Sequence, residues 1–370
     1  MAAQPQEHTP PSNPQAPFAK RAAFLLGYLA VMLLFVEGAS RLILSSDALA
    51  GSAVLRSSSG WRLRWLDRHR PDVPVYYDFD AFHPTRGWAS RPSVRDANTF
   101  GPASVNTNSA GLRGRREVTV SKEPGRPRVL VVGDSFTFGD EVRDEEAYPN
   151  VLGELLPEAE VVNFGVHGYG HDQMLLLLRE QALSYQPDVV VLGFVRDDME
   201  RNMLAFRDFA KPRFVLAGDD LSLRNVPVPT PEEIVRSSRW RPRVLDLLAI
   251  VRDNYLWKVG LSTRQMNALT TALLDQMVEE TVAAKAVFVF VYLPHSEELT
   301  DPGLVTEGHR FFETYCEERA AFCLDLLPRF RDEVASGTPI KTLGHWHGTG
   351  HRVAAESVGE YIRRRDLLNL

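Results

Sequence analysis

Short apolar runs alternate with longer amphipathic stretches over most of the chain after residue 120. The runs are rich in β-branched residues and end at Gly, Pro or Asp, which is typical of buried strands. We predict strands at residues 128–132, 159–163, 187–194, 287–293 and 322–326. The stretches between and after them predict helices at residues 145–156, 175–183, 263–284, 308–319 and 350–364. Strands that alternate with helices favour an α/β fold with a parallel sheet between helical layers.

A longer apolar run lies near the N-terminus. It covers residues 22–36 after Lys20 and Arg21, and it is shorter than the ~20 residues that a spanning helix needs. Continuation to residue 44 makes it long enough, and Glu37 and Arg41 can then pair on one helix face. The alternative is a cleaved signal peptide, but a cut after Ala39 would place Glu37 where a small residue is required. The sequence therefore favours an uncleaved transmembrane anchor.

The orientation of this anchor does not follow from charge alone. Five basic residues come after the span and outnumber the two before it: Arg56, Arg62, Arg64, Arg68 and Arg70. A simple count would leave the following domain in the cytoplasm. Trp61 and Trp65 alternate with these arginines, however, which is also typical of a segment on a membrane surface whose charges bind lipid headgroups.

These patterns divide the chain into four parts. Residues 1–20 are predicted to be a disordered tail, because they are rich in Pro, Gln, Ala and Ser without periodicity. Residues 21–45 form the anchor, and residues 46–120 a membrane-proximal segment that is irregular and partly β. Residues 121–370 form the main domain. Within it, residues 207–261 break the alternation and predict an insertion that covers the site, with an amphipathic helix near residues 242–257.

The composition is that of an ordinary globular protein. Of the 370 residues, 44% are apolar and 24% are charged, which excludes disorder for most of the chain. The formal net charge is -6 and no long basic run occurs, so nucleic acid is not an expected partner. Cys316 and Cys323 either form a bridge in an oxidising compartment or are two small buried residues, and the sequence leaves both possibilities open.

Five motifs stand at the ends of predicted strands or the starts of predicted helices. In chain order they are NTNSAGLRG, VLVVGDSFTFG, VVNFGVHGYG, DVVVLGFVRDD and GHWHGTGHRVAAE. Together with the apolar span and its Glu-x-x-x-Arg, they resemble the membrane-anchored SGNH (GDSL-type) hydrolases. The resemblance covers residues from about 105 to the C-terminus. It implies an SGNH-type three-layer sandwich with a parallel sheet, and a reaction without a cofactor or metal.

The resemblance also assigns roles to individual residues. Ser135, in the turn after the first strand of the main domain, matches the nucleophile, and Gly168 matches an oxyanion donor that acts through its backbone N–H. His345 matches the general base, because Trp346 and Gly350 follow it at the family's spacing.

Two positions depart from the family pattern. The family's orienting acid lies two or three residues before the histidine, where this chain has Leu343 and Thr342. Besides Ser135 and Gly168, the family's oxyanion donors include an asparagine, and this chain has Asp197 there, whose ionised carboxylate donates no hydrogen bond. Either the site is rewired, with Asp197 close enough to orient His345, or catalysis is weak or lost.

The sequence therefore predicts a serine-dependent acyl-ester hydrolase, an esterase or deacetylase of cell-envelope glycan or lipid esters. One alternative is an O-acyltransferase of the same fold, and another is a catalytically silent anchored domain that binds glycans or proteins. Retention of Ser135, Gly168 and His345 favours activity over silence. We expect the catalytic domain on the periplasmic or extracellular side, attached to the membrane through the N-terminal helix.

Overall fold

The structure is a computed structural model that describes residues 18–45, 51–68, 76–98, 103–218, 220–301, 303–319, 322–340 and 344–369. Most of the predicted disordered tail, residues 1–17, lies outside these ranges. Arg70 of the basic segment also lies outside them, as do Thr342 and Leu343 before His345.

Strands and helices alternate through the main domain. The strands are β1 Asp80–His83, β2 Gly87–Ser90, β3 Ala97–Asn98, β4 Ser104–Val105, β5 Arg128–Gly133, β6 Glu160–Gly165, β7 Val189–Phe194, β8 Phe206–Arg207, β9 Phe209–Ala210, β10 Arg213–Ala217, β11 Asp220–Arg224, β12 Val287–Tyr292 and β13 Cys323–Asp325. The helices are α1 Phe18–Leu44, α2 Ser52–Leu55, α3 Ser58–Arg68, α4 Ser135–Phe138, α5 Tyr148–Leu155, α6 His171–Glu180, α7 Arg196–Asn202, α8 Pro231–Ser238, α9 Arg243–Lys258, α10 Leu261–Ala283, α11 Ser296–Thr300, α12 Glu307–Glu318, α13 Leu327–Ala335 and α14 Gly348–Arg364.

A five-stranded parallel sheet forms the centre of the domain, with strand order β13-β12-β7-β5-β6. Its five strands are the five that the sequence predicts, and each strand end lies within two residues of its predicted position. Every residue of β5 and β7 is buried, as expected for strands covered by helices on both faces. The predicted α/β fold is therefore confirmed.

Helices pack against the sheet and share one hydrophobic core with it. Helix α5 packs against α14 and β6, and α6 packs against α10 and β5. Residues 171–178 of α6 are all buried, whereas α14 buries one face and exposes Arg352, Glu360 and Arg363 on the other. This packing holds the carboxyl ends of the strands, where the candidate site lies, in fixed positions.

The segment between α1 and β5 is more regular than the sequence indicates. It contains α2, α3 and the antiparallel pairs β1–β2 and β3–β4. Trp61 and Trp65 belong to α3 and pack against a cluster that includes Phe206, whose ring centroid is 5.9 Å from that of Trp65. The rings of these two tryptophans are therefore partly covered by the domain itself. Alternating arginines hid the helical period, which appears only once α3 meets residues distant in sequence.

Helix α1 is long enough and apolar enough to cross a membrane, with 27 residues and a mean hydropathy of 2.0 over its most apolar window. Its last turns pack against α9. The carboxylate of Glu37 accepts hydrogen bonds from the backbone N–H groups of Arg243 and Val244, at 3.0 and 3.1 Å, and Ser40 is buried. Glu37 also pairs with Arg41 as predicted, at 2.8 Å. The end of the apolar helix is thus attached to the folded domain.

The two cysteines form a disulfide between α12 and β13. Their Cα atoms are 6.1 Å apart, and the two residues are seven positions apart in sequence. Of the two possibilities that the sequence leaves open, the structure therefore contains the bridge.

Candidate active site

The carboxyl ends of β5, β6 and β7 bring three of the five sequence motifs to one edge of the sheet. Strands β5, β6, β7 and β12 end at Gly133, Gly165, Phe194 and Tyr292, and these glycines and aromatics are buried. Parallel strands end at the same edge, so the loops that follow them converge there. This edge is where an α/β sheet offers a crevice for a ligand.

Ser135 begins the short helix α4 directly after β5. The side chain of Asp134 caps this helix by accepting a hydrogen bond from the backbone N–H of Phe136 at 3.0 Å. The helix ends at Gly139 in the left-handed region, with a φ of 88°. This strand, turn and short helix fix the direction of the Ser135 side chain.

A chain of two side-chain contacts joins Ser135 to His345 and His345 to Glu141. The Oγ of Ser135 is 2.8 Å from Nε2 of His345, and Nδ1 of the same ring is 3.3 Å from Oε1 of Glu141. A proton on Nδ1, facing the carboxylate, leaves Nε2 able to accept the hydroxyl proton of Ser135. The longer of the two contacts is of a kind that often tightens when substrate binds. The geometry is that of a nucleophile, a base and an orienting acid.

Glu141 is the site residue that sequence reasoning missed. It follows the nucleophile turn in the stretch FGDEV, where Asp140 and Glu141 are adjacent carboxylates. That pair is the signal that was available, but the sequence does not say which carboxylate reaches the base. Here Glu141 has a φ of 66°, and its side chain extends to His345 while that of Asp140 points to His167.

Asp197 does not take the place beside His345 that the rewired-site hypothesis gave it. It lies in the first turn of α7, with Oδ2 3.6 Å from Nε2 of His295 and Oδ1 3.4 Å from Nε of Arg196. Burial would raise the pKa of Asp197, but the hydrogen bond with His295 and the charge of Arg201 outweigh it and lower the pKa. Asp197 is therefore an ionised partner of His295, and Glu141 occupies the acid's position at His345.

Gly168 lies beside the nucleophile turn in the loop after β6. Its φ is 73°, and a Cβ built on it would lie 2.7 Å from Nη1 of Arg207. Among the described residues, the backbone N–H groups of Ser135 and Gly168 have no hydrogen-bond acceptor. Both are thus available to a ligand oxygen, as the predicted oxyanion role requires.

Arg201 joins the two segments that carry these groups. Its Nη1 is 2.7 Å from Oδ2 of Asp134 and 3.0 Å from the backbone oxygen of Tyr169, and it also contacts Asp198 at 2.5 Å. Burial disfavours the charged guanidinium, but the two carboxylates outweigh it and raise the pKa of Arg201. Asp134 precedes the nucleophile and Tyr169 follows Gly168. One buried cation therefore sets the spacing between the nucleophile and the oxyanion donor.

A second buried pair connects the same loops. Nδ1 of His167 is 2.6 Å from Oδ2 of Asp140. Burial alone would raise the pKa of Asp140 and lower that of His167, but their mutual attraction reverses both shifts. Asp80 is also buried and faces this pair. Neither of its carboxylate oxygens has a hydrogen-bond partner in the described part of the chain. Burial raises the pKa of Asp80 to about 7.

The other histidines of the last motif do not contact the nucleophile. His351 is buried in α14, where its Nδ1 accepts a hydrogen bond from the backbone N–H of Tyr148 at 3.2 Å, and burial lowers its pKa to about 3. His347 is the N-cap residue of α14. Of the three, the structure places His345 at Ser135. No group of three or more potential ligands that could hold a metal occurs in the residues that the structure describes.

The sequence model of the GDSL-like Lipase/Acylhydrolase family matches residues 131–353. The matched region includes Ser135, Glu141, Gly168, Asp197 and His345. No curated protein sequence matches the chain.

Several solved structures have a similar arrangement of part of the chain. A member of the lipolytic protein G-D-S-L family from Veillonella parvula is 13% identical, with 64% of this chain and 98% of that one covered and a TM-score of 0.40. A catalytic mutant of Axe2, an acetylxylan esterase from Geobacillus stearothermophilus, is 14% identical, with 65% and 96% covered and a TM-score of 0.39. A GDSL-like lipase from Bacteroides thetaiotaomicron is 13% identical, with 64% and 88% covered and a TM-score of 0.36.

Proposed function

Because the chain belongs to the GDSL-like lipase/acylhydrolase family, we propose that it is a membrane-anchored serine hydrolase that cleaves acyl esters of cell-envelope glycans or lipids. The observation that carries this proposal is the 2.8 Å contact between Ser135 Oγ and His345 Nε2, with Glu141 at the other ring nitrogen. A serine that only capped a helix would need neither partner. The arrangement favours an active hydrolase over a catalytically silent binding domain.

The first half of the reaction forms an acyl-enzyme. His345 takes the hydroxyl proton of Ser135 as Oγ attacks the acyl carbon, and the imidazolium that forms is stabilised by the Glu141 carboxylate. The carbonyl oxygen becomes an oxyanion, which the free N–H groups of Ser135 and Gly168 would bind. His345 then returns the proton to the alcohol oxygen as the ester bond breaks, and the alcohol leaves.

The second half releases the acyl group. A water molecule gives its proton to His345 and attacks the acyl carbon, and collapse of the second oxyanion returns the proton to Ser135 Oγ. A sugar hydroxyl in place of water would make the same acyl-enzyme an O-acyltransferase. Every step uses the same base, so the products of the reaction distinguish the two.

The N-terminal helix is proposed to be an uncleaved anchor. A cleaved signal peptide has no lasting role in the mature fold, whereas here Glu37 accepts two backbone hydrogen bonds from α9 and Ser40 is buried against the domain. The Cys316–Cys323 bridge supports an oxidising location for the domain, since disulfides persist outside the cytoplasm. We therefore propose that the catalytic domain lies on the periplasmic or extracellular side.

Activity is tested with full-length protein in detergent, a short aryl ester and a fluorophosphonate probe. We expect hydrolysis and a covalent adduct on Ser135 in the parent, and neither in Ser135→Ala or His345→Ala. The double mutant should be no worse than either single one, because groups that act as one unit are not additive. Ser184→Ala, an exposed serine outside the site, is the matched control. Equal hydrolysis in Ser135→Ala and the parent would remove the mechanism.

Location and substrate need separate measurements. Detergent, and not salt, should release the protein from membranes, since apolar burial holds the anchor. A reporter fused after Leu370 should be active only outside the cytoplasm. Incubation with isolated envelope glycan and lipid fractions should release free carboxylic acid, whereas transfer of the acyl group to an added sugar would favour the transferase. Reporter activity inside the cytoplasm would overturn the proposed side.

A further inference from the structure

Helix α9 exposes a strip of apolar side chains. Leu248, Val251 and Tyr255 follow one another at helical spacing and are 59%, 58% and 62% exposed. Leu245 extends the strip towards the start of the helix, and Val259 extends it past the end. Side chains three or four residues apart share one face of a helix. These five residues therefore form one surface, which we call the α9 stripe.

The opposite face of α9 fixes the direction of this stripe. Asp246 and Ile250 are buried there. The Asp246 carboxylate pairs with the guanidinium groups of Arg62, Arg241 and Arg243. Rotation of the helix to bury the stripe would carry Asp246 out of this network and leave buried arginine charge unpaired, which is costly. The stripe is thus held on the outside of the domain.

Exposed apolar side chains are concentrated in this region. Beyond residue 45, twelve large apolar side chains of the described chain are exposed, and seven of them lie within residues 240–261. A contiguous patch of this kind marks an interaction surface, whereas scattered single residues do not. What remains is to identify the partner that covers it.

The position of α9 identifies the partner. The helix begins at the end of the apolar span, because the backbone N–H groups of Arg243 and Val244 bind the carboxylate of Glu37 in α1. Ser40, one turn further along α1, is buried by the same packing. A bilayer that surrounds α1 must therefore have its surface close to the start of α9.

The residues that flank the stripe have the composition of a membrane interface. Trp240 is 85% exposed, and the guanidinium carbon of Arg239 lies 5.8 Å from the centroid of its ring. At the other end lies the exposed Lys258. Amphipathic aromatics and long basic side chains favour the headgroup region. Arg252 lies on the face of the stripe, four residues after Leu248 and three before Tyr255, and is paired with Asp253 at 2.7 Å.

We propose that α9 lies on the membrane surface, with the α9 stripe inserted at the boundary between lipid headgroups and acyl chains. This proposal rests on the proposed anchor and is independent of the catalytic chemistry. The sequence left such a role open for the segment around Trp61 and Trp65, and the proposal gives it to α9. The domain is then attached to the bilayer through two elements, a span and an interfacial helix.

Site-specific fluorescence quenching tests the proposal with the full chain in liposomes of phosphatidylcholine and phosphatidylglycerol. Both native cysteines are in the disulfide, so an introduced cysteine is the only thiol that a bimane label can modify. Leu248→Cys, Val251→Cys and Tyr255→Cys are labelled separately, and doxyl-labelled lipids quench the fluorophores that contact acyl chains. Leu29→Cys in α1 is the positive control for the anchor, and Arg352→Cys on the exposed face of α14 is the negative control.

We expect at least ~2-fold quenching at the stripe positions and at Leu29, and none at Arg352. Quenching at Leu29 without quenching at any stripe position would overturn the proposal and leave the anchor intact. Loss of quenching at Leu29 as well would overturn both. If doxyl lipids do not quench the stripe labels, and the same cysteines without label form a disulfide with a second copy on addition of an oxidant, the stripe would be a dimer interface instead. Three independent positions keep the test valid if one variant fails to fold.

Discussion

The carboxylate of Glu141 lies 3.3 Å from Nδ1 of His345, at the ring nitrogen that Ser135 does not contact. In the family pattern the orienting acid precedes the histidine, but here it belongs to the loop that follows the nucleophile. Gly139, with a φ of 88°, and Glu141, with a φ of 66°, turn that loop back towards the imidazole. The acid that contacts His345 therefore comes from a different part of the sequence than the family pattern gives.

Glu141→Gln should lower kcat/KM by ~10²–10⁴, because the amide neither stabilises the imidazolium nor enforces the Nδ1 tautomer as a carboxylate does. Without the carboxylate charge the imidazolium is less stabilised, so the acidic limb of the pH profile of kcat/KM should move to lower pH. Hydrolysis of a short aryl ester across pH measures both effects.

Glu145→Gln is the matched control for this change, because Glu145 lies four residues further along and pairs with Arg143 in an exposed position, at 3.3 Å. It should retain the parent's rate and pH profile. A Glu141→Gln enzyme with the parent's profile would show that Glu141 does not orient the base.

Asp197→Asn should leave the acidic limb of the pH profile unchanged, whatever its effect on the rate. The described partners of Asp197 are His295 and Arg196, and the carboxylate at His345 is that of Glu141. The same assay, run in parallel with Glu141→Gln, measures the pH at which the acidic limb of kcat/KM falls. If Asp197→Asn moved the acidic limb as far as Glu141→Gln does, the hypothesis that Asp197 orients His345 would be supported again.

The sequence predicted the fold well because the information for it is local. Buried β-branched runs and amphipathic helices define the five parallel strands and the helices around them, and the motif spacing brings Ser135 and His345 together. These features follow from the two-residue repeat of strands, the 3.6-residue repeat of helices and the turn residues next to strands. They need no knowledge of distant contacts.

The parts that could not be predicted depend on contacts between distant residues. Glu141 reaches His345 across 204 positions of sequence, and nothing near either residue indicates this contact. The helix α3 was missed because Trp61 and Trp65 have a buried face only when the segment around Phe206 is present. Arg201 was missed for the same reason, since its role appears only once Asp134 and Tyr169 lie beside it.

Gly168→Ala should lower kcat by ~10²–10³, the range found when one oxyanion donor is lost. Its φ of 73° disfavours a side chain, and the new Cβ would lie 2.7 Å from Nη1 of Arg207, so either the end of the Arg207 side chain moves or the strained loop turns its N–H away. Gly218→Ala is the matched control, with a φ of 69° and no atom within 4 Å of the new Cβ. It tests backbone strain without crowding and should retain kcat. Equal loss in both variants would point to strain alone.

Asp80→Asn should stabilise the protein at high pH and not at low pH. Burial raises the folded-state pKa of Asp80 to about 7, above the value of ~3.9 for an unfolded chain. As pH rises from about 4 to 7, the unfolded state releases this proton and the folded state retains it, so the parent loses stability across that window and no further above it. The groups that face Asp80 are His167, Asp140, Arg91 and Asp208, and the variant leaves all four in place.

Thermal unfolding of parent and Asp80→Asn at several pH values measures this effect. Each pKa unit corresponds to about 1.4 kcal/mol, and about 1 kcal/mol shifts Tm by ~2–4 °C in a domain of this size. The Tm of the variant minus that of the parent should therefore grow by several degrees between pH 4 and 7 and then stay constant. Asp67→Asn, at an exposed position of α3, should show no such trend. A difference in Tm that is the same at every pH would mean that Asp80 is ionised throughout, and that a partner for its carboxylate must be sought beside His167.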